Sequence, residues 1–562
     1  MQPTLRDFAQ KLNDHPALRQ VFFLTAALAS IALVGYHFGA LDQAVHIPFL
    51  RATADPDLYP GDPFLALRKD QYSIFWYFFI PFLRSGLLEQ AMFLVHLLVI
   101  FLFFTAIWEL CITIFSDPMA ALIASLAFII PHTGFVGFPV IEYTLQSRTF
   151  VLPFLLFAVN LFLNHRRGKA FLILGLMYNV NLLMTNFVLA GLLFYSLLEI
   201  RKGSLNKFGL NVGSFLFGAL PVLLWKIHSG DGLDFSLRPD WFSAISNGGL
   251  FQINYIFSAT AFMLLTMGGL SCIIMFFVAR KNCPSGVHDR EIVFFMIAMI
   301  CILAFQVITT FWIPITFIIQ LQISRASIFI LIFAYIYFAN YLAKIFVSKK
   351  ISDGTLILVA GSFIFSVSPL IPLLILISTR IRPELFGMNK TAAAIGLLLL
   401  VTGYMSAGIS LKLWQPSINI FGKPSPWVDV QNWARENTST NALFITPPQE
   451  VGLYQPDWRV FSERGTVASL YDIFEVALKP DHLGTWKVRF ENLAPKALDQ
   501  FRGNYFENQT ITRGAYNQLR TDQIIKIAER YSASYLVMEK SISHNLPILY
   551  ENELYKVFGL KK

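Results

Sequence analysis

Residues 88–113 read "LEQAMFLVHLLVIFLFFTAIWELCIT", an apolar run whose charged residues are Glu89 and Glu109. A helix needs about 20 apolar residues to cross a bilayer, so this run predicts a membrane span. The whole chain has the same character, because 55% of its 562 residues are hydrophobic and 14% are charged. Soluble domains are roughly 25% charged. The sequence therefore predicts a multi-pass α-helical membrane protein.

Similar runs recur up to residue 414 and predict about 11–13 transmembrane helices. The predicted spans are residues 19–39, 88–113, 117–133, 148–164, 169–184, 186–200, 208–227, 254–279, 291–313, 325–346, 355–379 and 391–412. Residues 72–85 ("YSIFWYFFIPFLRS") are aromatic and contain Pro81. That composition favours a helix lying at the membrane surface rather than a further span.

Short basic loops predict the orientation of these spans. "HRRGK", "RKGSLNK", "ARKN" and "SKK" mark the cytoplasmic side and account for the net charge of +9 without a nucleic-acid partner. The first span then exits at Asp42 on the outer side. Residues 355–379 either cross once or dip in and return. We favour the return, because it places Arg380, Arg382 and Lys390 inside and the C-terminal region outside.

The composition changes after Trp414, and residues 415–562 predict a soluble, extracytoplasmic α/β domain. "WVDVQNWAREN" predicts a helix and "ALFIT" a strand, whereas "TDQIIKIAERY" and "SYLVM" predict a second such pair. No glycine-rich phosphate loop precedes a helix here, so nucleotide binding has little support. The four cysteines show neither a disulfide framework nor zinc-ligand spacing.

Polar residues cluster in the first outer loop, residues 40–87. Its stretch "LDQAVHIPFLRATADPDLYPGDPF" (41–64) contains four aspartates, His46 and Arg51 close to the end of the first span. An ordinary solvated loop rich in turn residues is one interpretation. The other is that this loop forms the floor of an active site at the membrane surface.

Two stretches resemble parts of a known superfamily. They are the first-loop segments "LDQAVHIPFL" and "DPDLYPGDPF", and the C-terminal segments "IAERYSASYLVMEK" and "LPILYENELYKVFGL". With the many spans, the interfacial segment and the C-terminal α/β domain, they resemble the GT-C glycosyltransferases. That superfamily includes oligosaccharyltransferase catalytic subunits, protein O-mannosyltransferases and the aminoarabinose transferase that acts on lipid A.

The resemblance implies an inverting glycosyltransferase that uses a polyprenyl-phosphate-linked sugar on the non-cytoplasmic side. It also implies a place in a bacterial inner membrane and an acceptor that is a glycan, a lipid or a protein. The chain departs from the pattern in two ways. It has Asp42-Gln43 where many members have two adjacent acids, and it lacks the Trp-Trp-Asp signature of oligosaccharyltransferases.

Asp42 is the candidate catalytic base. Sugar transfer to a hydroxyl group needs a base, and a carboxylate at a half-buried membrane boundary has a pKa that burial can tune. The alternative is that Asp42 only caps the helix that follows it.

Arg51, Arg148 and Arg325 are candidates for binding the lipid phosphate, since guanidinium groups suit phosphate oxygens. Arg148 and Arg325 lie at predicted outer ends of spans, away from the side where arginine normally accumulates. Snorkelling or structural pairing, for instance of Arg148 with Glu142, is the alternative.

Four further residues are candidates for substrate binding. His132 and Glu142 belong to the second outer loop, with helix-end or packing roles as the alternative. Asp57 and Asp62 are secondary candidates for a metal or acceptor contact, but they lie among prolines and Gly61, where turn formation explains them as well. The sequence identifies no cofactor with certainty and leaves a divalent metal open.

Two functions from different classes remain at this point. One is the glycosyltransferase, and the other is a transporter or flippase for a lipid-linked or polar solute, whose route the same charged residues would line. Transporters often show related halves, and this sequence shows no clear internal repeat. The candidate polar groups gather at one face, which favours the enzyme. A non-catalytic assembly protein is a third possibility.

Overall fold

The structure is a computed structural model that describes residues 2–132, 139–200, 205–230, 232–249, 259–283, 288–348, 352–366, 368–381, 389–410, 414–452 and 454–560. The chain folds into a helical membrane part followed by a smaller part that contains a sheet. The helices up to residue 410 are α1 (Gln2–Asp14), α2 (Pro16–Val34), α3 (Gln43–Ala54), α4 (Ile80–Arg84), α5 (Leu88–Phe115), α6 (Pro118–Ala127), α7 (Ser147–Leu163), α8 (Arg167–Tyr178), α9 (Leu182–Ile200), α10 (Leu205–Ser229), α11 (Pro239–Asn247), α12 (Ala259–Asn282), α13 (Asp289–Phe311), α14 (Thr316–Gln320), α15 (Ser327–Ser348), α16 (Asp353–Phe365), α17 (Leu370–Ile381) and α18 (Lys390–Ser410).

Seven segments of the described chain are long and apolar enough to cross a membrane: α2, α5, α9, α10, α13, the stretch Ile323–Val347 that includes most of α15, and α18. The multi-pass helical prediction is confirmed, and each predicted span contains at least one helix. Several of those helices are shorter than predicted. Predicted span 117–133, for example, forms a helix only over α6. Residues 72–85 do not form one continuous helix, because a 3₁₀ segment, Trp76–Phe79, leads into the short α4.

Helices α8 and α10 cross with their backbones in close contact. A Cβ atom added to Gly175 would lie 2.2 Å from the carbonyl oxygen of Phe215, so only glycine permits this approach. The side chain of Asn179 donates to the Gly218 carbonyl (2.8 Å) and accepts from the Val222 N–H (2.9 Å). That carbonyl and that N–H would bond to each other in an uninterrupted α-helix. Asn179 therefore satisfies backbone groups beside Pro221.

Residues 353–381 return to the face from which they start. Helix α18 begins beside the beginning of α16, because Lys390 Nζ lies 2.8 Å from Asp353 Oδ2. The two helices run in the same direction, since Gly361 packs against Leu397. The chain must therefore come back through α17 before α18 starts. This path agrees with the returning version of the predicted topology; Arg382 lies outside the described residues.

The C-terminal part contains a five-stranded sheet whose strands are β3 (Leu443–Ile445), β4 (Gly465–Thr466), β5 (Tyr535–Glu539), β6 (Ile548–Glu551) and β7 (Tyr555–Gly559). Their order is β4-β3-β5-β7-β6; β3 is parallel to β4 and β5, and β7 is antiparallel to β5 and β6. The helices of this part are α19 (Pro426–Asn437), α20 (Trp458–Ser462), α21 (Ile473–Val476), α22 (Leu483–Leu493), α23 (Tyr505–Asn517) and α24 (Thr521–Tyr531). Mixed strands and helices confirm the predicted C-terminal α/β fold.

The first loop, the second loop and the C-terminal part meet at one face of the helices. Strand β1 (Tyr36–His37) pairs in parallel with β2 (Ile418–Asn419), and the His37 N–H donates to the Tyr143 carbonyl (2.8 Å). The Trp414 indole N–H donates to the carbonyl of Leu33 near the end of α2. We call this side the loop face, defined by residues 35–42, and it carries the C-terminal part.

Candidate functional site

Asp42 is held at the loop face by a tight turn before α3. Gly39 and Leu41 have φ angles of +83° and +50°, in the left-handed region. The Gln43 side chain accepts from the Gly39 N–H (2.8 Å) and donates to the Leu145 carbonyl in the second loop (2.9 Å). Gln43 thus fixes the turn and ties the two loops together.

The Asp42 side chain does not serve α3 as a cap. Within the described part of the chain it accepts no capping hydrogen bond from the first turn of the helix. Its carboxylate instead contacts the guanidinium of Arg148, at the start of α7. The side chain keeps 39% of its surface accessible, because it faces a cavity.

Arg148 joins Asp42 to Glu142. Its Nε donates to Glu142 Oε1 at 2.9 Å, and the Thr149 hydroxyl donates to the other carboxylate oxygen at 3.3 Å. Glu142 is almost fully buried, with 4% of its side chain accessible. The predicted pairing of Arg148 with Glu142 is present, and the same arginine also contacts Asp42. One guanidinium therefore connects a buried carboxyl group to one that faces the cavity.

The electrostatic environment gives these groups different proton affinities. Burial raises the pKa of Asp42, but the positive charges, chiefly those of Arg148 and Arg325, together lower it by more than burial raises it. The pKa of Asp42 therefore lies below its usual value. At Glu142 the effect of burial on the pKa is larger than the opposing effect of the Arg148 charge, so the pKa of this carboxyl group is raised. Burial lowers the pKa of His46, one turn along α3, to about 4. Asp42 is therefore a carboxylate and His46 a neutral imidazole at neutral pH.

The cavity has a volume of about 1070 Å³ and lies between the membrane helices and the C-terminal part. Its polar wall includes Asp42, Arg148 and Arg325. Its apolar wall is formed by side chains on α9, α10 and α13, among them Phe187, Ala190, Leu223, Ile302 and Phe305. The cavity therefore joins a charged cluster at the loop face to apolar surfaces of membrane helices.

A small second cavity lies directly behind the arginines. It has a volume of about 30 Å³, and Glu142, Arg148, Thr149 and Arg325 contribute to its wall. A space of this size could hold about one water molecule, and apolar side chains such as Leu152 and Leu331 form the rest of its wall. The buried carboxyl of Glu142 and both guanidinium groups therefore border one small cavity.

The aromatic residues of the predicted interfacial segment also reach the cavity. Trp76 stacks on His46, with ring centroids 4.5 Å apart and an interplanar angle of 23°. Both residues line the large cavity. Trp76 thus fixes the orientation of an imidazole that lies one helical turn from Asp42.

Four of the eight candidate residues lie away from this cluster. Arg51 donates to the carbonyl of Val460 and lies 3.5 Å from Glu463. Its side chain is buried between the first loop and the C-terminal part. Arg51 is therefore not placed to bind the lipid phosphate at this cluster, because its guanidinium is directed into the protein.

Asp62 has a structural environment of the same kind. Its Oδ2 lies 2.7 Å from Arg459 Nε and accepts from the Thr466 N–H at 3.1 Å, and its side chain is fully buried. Asp57 is exposed in the turn after α3, where its N–H donates to Asp55 at 3.1 Å. The turn chemistry of this segment accounts for Asp57, and the buried ion pair accounts for Asp62.

His132 lies inside the helical bundle. Its Nε2 is 2.5 Å from the Ala127 carbonyl, its Nδ1 is 3.0 Å from the Tyr335 hydroxyl, and the residue is fully buried. This is the packing role that the sequence left open. Glu142, Arg148 and Arg325, by contrast, come together with Asp42.

Metal binding was left open by the sequence. Among the residues that the structure describes, no group of three or more His, Cys, Asp or Glu side chains is arranged to hold a metal ion. Asp57 and Asp62, the predicted candidates, have the separate structural environments given above.

Residues outside the predicted set also line the cavity. They include Gln71, Lys226, Tyr471, Glu475 and Lys479. Burial, with a smaller contribution from the charge of Asp42, raises the pKa of Glu475 to about 8. Asn181 and Asp234, from polar outer segments of the sequence, line it as well. Glu475 has no local sequence signal, because it lies in an ordinary-looking helix of the C-terminal part.

Comparisons with known proteins give matches of two kinds. A family described as a domain of unknown function (DUF6798) matches residues 425–493. No curated protein matches the sequence. Solved structures that are similar to the chain over most of its length include the following three.

The first is ArnT from Cupriavidus metallidurans bound to undecaprenyl phosphate. It has 12% identity and a TM-score of 0.49, with 96% of this chain and 98% of that chain covered. The oligosaccharyltransferase AglB from Archaeoglobus fulgidus, in complex with an inhibitory peptide and a dolichol-phosphate, has 12% identity and a TM-score of 0.45. An apo oligosaccharyltransferase from the same organism has 13% identity and a TM-score of 0.43. Both cover 92% of this chain and 69% of their own.

Proposed function

We propose that this protein is a GT-C-type glycosyltransferase that transfers a sugar from a polyprenyl-phosphate-linked donor to an acceptor hydroxyl group at the loop face. One observation carries the proposal. The cavity beside Asp42 has the Asp42 carboxylate and the guanidinium groups of Arg148 and Arg325 at one end, and apolar side chains on the membrane helices α9, α10 and α13 form part of its wall. A ligand that fits both ends has an anionic head group and a hydrophobic chain.

The size of the cavity agrees with this kind of ligand. Sites for drug-sized molecules have volumes of roughly 300–1,000 Å³, and this one has about 1070 Å³. Phe305, on its apolar wall, is 47% exposed on the surface of α13, where a lipid chain can reach it from the bilayer. The donor lipid would therefore enter sideways between membrane helices.

Arg148 and Arg325 would bind the phosphate. Guanidinium groups form charge-assisted, often bidentate hydrogen bonds with phosphate oxygens. Both side chains line the large cavity, and both also line the small one behind it. During transfer they would stabilise the negative charge that develops on the departing lipid phosphate.

Asp42 would accept the proton of the attacking hydroxyl group. The acceptor oxygen then bonds to the anomeric carbon as the bond from that carbon to the phosphate oxygen breaks, and the configuration inverts. Before the donor binds, the two arginines hold the pKa of Asp42 below its usual value. A bound phosphate would offset their charge and make Asp42 a stronger base, so donor binding and base activation are coupled.

We also propose that the loop face is extracytoplasmic and that the protein resides in a bacterial inner membrane. The basic loops at the opposite ends of the helices support this orientation. The C-terminal part, which packs on the loop face, would then lie outside the cytoplasm.

The proposal is tested by chemistry on the donor. The purified protein, reconstituted in lipid vesicles, is incubated with a panel of radiolabelled polyprenyl-phosphate sugars, and the products are separated by chromatography. We expect at least one donor to lose its sugar to water or to an acceptor. A flippase would instead move a labelled lipid between leaflets and leave its sugar–phosphate bond intact, which would contradict the proposal.

A further inference from the structure

The wall of the cavity that faces away from the membrane helices comes from the C-terminal part. Residues 471–481 supply it, and they lie within the region that matches the family of unknown function. We call this stretch the wall segment. Its lining residues are Tyr471, Phe474, Glu475, Leu478, Lys479, Pro480 and Asp481.

Several contacts fix the wall segment against the membrane part. The Trp241 indole N–H donates to the Val476 carbonyl (2.9 Å), and the Gln320 amide donates to the Leu478 carbonyl (3.0 Å). Lys479 Nζ lies 3.1 Å from Asp70 Oδ1. These contacts come from different parts of the chain, so the wall segment is held in one position relative to Asp42.

Glu475 is the buried carboxyl group of this segment. It is 7% exposed, lines the cavity, and accepts a hydrogen bond from the side-chain amide of Gln71 in the first loop. Among the described residues, no cation forms an ion pair with it. A buried carboxyl that has a neutral partner and no cation is more stable in its protonated form, and the pKa of about 8 agrees with this.

The chemistry around Glu475 suits a neutral, hydroxyl-rich ligand. A protonated carboxyl group both donates and accepts hydrogen bonds, as do the Gln71 amide and the Tyr471 hydroxyl. Aromatic rings from Phe474 and Tyr471, with centroids 4.7 Å apart, border the same space. Apolar ring faces beside neutral hydrogen-bonding groups match the alternating apolar faces and hydroxyl groups of a pyranose.

We infer that Glu475, Gln71 and Tyr471 form a binding subsite for an uncharged pyranose of the acceptor, and that the wall segment selects the acceptor. The inference rests on the proposed function. The arginines that would bind the lipid phosphate come from the ends of membrane helices, whereas this subsite comes mainly from the part outside them. Asp42 lines the same cavity as the two arginines and as Glu475. An acceptor bound at Glu475 would thus occupy the cavity that the proposed base faces.

Direct binding of simple sugars tests the inference without a turnover assay. The full-length protein in lipid nanodiscs is examined by saturation-transfer NMR with methyl α-glucoside, methyl α-mannoside and methyl β-galactoside. We expect at least one of these probes to bind the wild type. Glu475→Ala should weaken that binding about tenfold, as for the loss of one hydrogen bond to a buried group. Glu475→Gln, which keeps both hydrogen-bonding functions, should retain most of it.

A matched control is available in the same region. Glu450 is also buried and also accepts from a glutamine amide, that of Gln455 at 2.7 Å, but it also pairs with Arg513 (3.1 Å) and lies outside the cavity wall. Glu450→Gln should leave glycoside binding unchanged. If Glu475→Ala does not fold, Gln71→Ala removes the partner instead and should weaken binding in the same direction.

Binding of undecaprenyl phosphate to the same samples separates this inference from the proposed function. If the lipid binds but no glycoside binds the wild type, or if Glu475→Ala binds glycosides as well as the wild type, the acceptor subsite is overturned while the donor site stands. If glycosides bind through Glu475 but the lipid phosphate does not bind, the proposed donor site fails.

Discussion

Asp62 of the first loop and Arg459 of the C-terminal part form a fully buried ion pair, with 2.7 Å between Oδ2 and Nε. Arg459 also contacts Asp472 (2.9 Å) and Asp457 (3.2 Å). The pair therefore fastens the loop that carries Asp42 to the part that carries the wall segment.

We predict that Asp62→Asn destabilises the protein. Breaking a buried ion pair by removing one charge typically costs about 3–5 kcal/mol, because the remaining charge stays buried. Asp457 and Asp472 still contact Arg459 in this variant, so the loss of folding free energy should lie toward the lower end of that range. The midpoint of thermal unfolding in detergent measures the effect. Asp57→Asn, in an exposed turn of the same loop, is the control, and an equal midpoint for both variants would contradict the prediction.

We predict that Arg148→Gln and Arg325→Gln each weaken the binding of undecaprenyl phosphate by about 10- to 100-fold. This is the range expected when a hydrogen bond between charged groups is lost. Native mass spectrometry of the purified protein measures the affinity. Arg290→Gln, an exposed arginine at the start of α13, is the control. Unchanged affinity in both cavity variants would remove the arginines from the donor site.

We predict that Glu475 makes the protein less stable as the pH rises. Its pKa is about 8 in the folded protein and near 4.5 as an unperturbed side chain. The unfolded chain therefore releases this proton first, and the contribution to stability, fully present below pH 4.5, is lost as the pH rises through about 8. The gain in unfolding temperature of Glu475→Gln over the wild type should be larger at pH 8 than at pH 5. An equal difference at both pH values would show that Glu475 is not buried as described.

We predict that the first loop and the C-terminal part lie on the same side of the membrane. Single cysteines at Asp57→Cys, Glu553→Cys and Arg166→Cys, each in a chain without its four native cysteines, report exposure to an impermeant maleimide. The first two should be labelled in intact cells, and the third only after permeabilisation. Labelling of the cysteine at 553 only after permeabilisation would mean that residues 353–381 cross once instead of returning.

The sequence predicts the helices and the position of Asp42 well, because hydropathy and turn chemistry are local properties. The apolar run from Leu88 determines α5, and the turn ending at Asp42 follows directly from the end of α2. The basic residues near Lys390 also predict the return of the chain, since charge at helix ends follows a simple rule. The short length of α8 is less predictable, because it depends on the hydrogen bonds that the Asn179 side chain forms with the backbone of α10.

The rest of the site depends on contacts between distant parts of the chain. Gln71 and Glu475 are 404 residues apart, and Asp62 and Arg459 are 397 residues apart. No local pattern distinguishes the aspartate that enters a buried ion pair from the one that remains exposed in a turn. Arg148 and Arg325 were identifiable because an arginine at the outer end of a span is unusual. Glu475 was not, because a glutamate in a soluble helix is ordinary.

The most direct test of the central claim compares wild type, Asp42→Asn and Asp55→Asn with the best donor from the radiolabelled panel. Asp55→Asn is the matched control, because it changes a carboxylate of the same loop at the end of α3. We predict turnover in the wild type and in Asp55→Asn. Turnover should fall by at least about a hundredfold in Asp42→Asn, the loss expected for a general base, while undecaprenyl phosphate still binds. Full turnover in a folded Asp42→Asn would contradict the account.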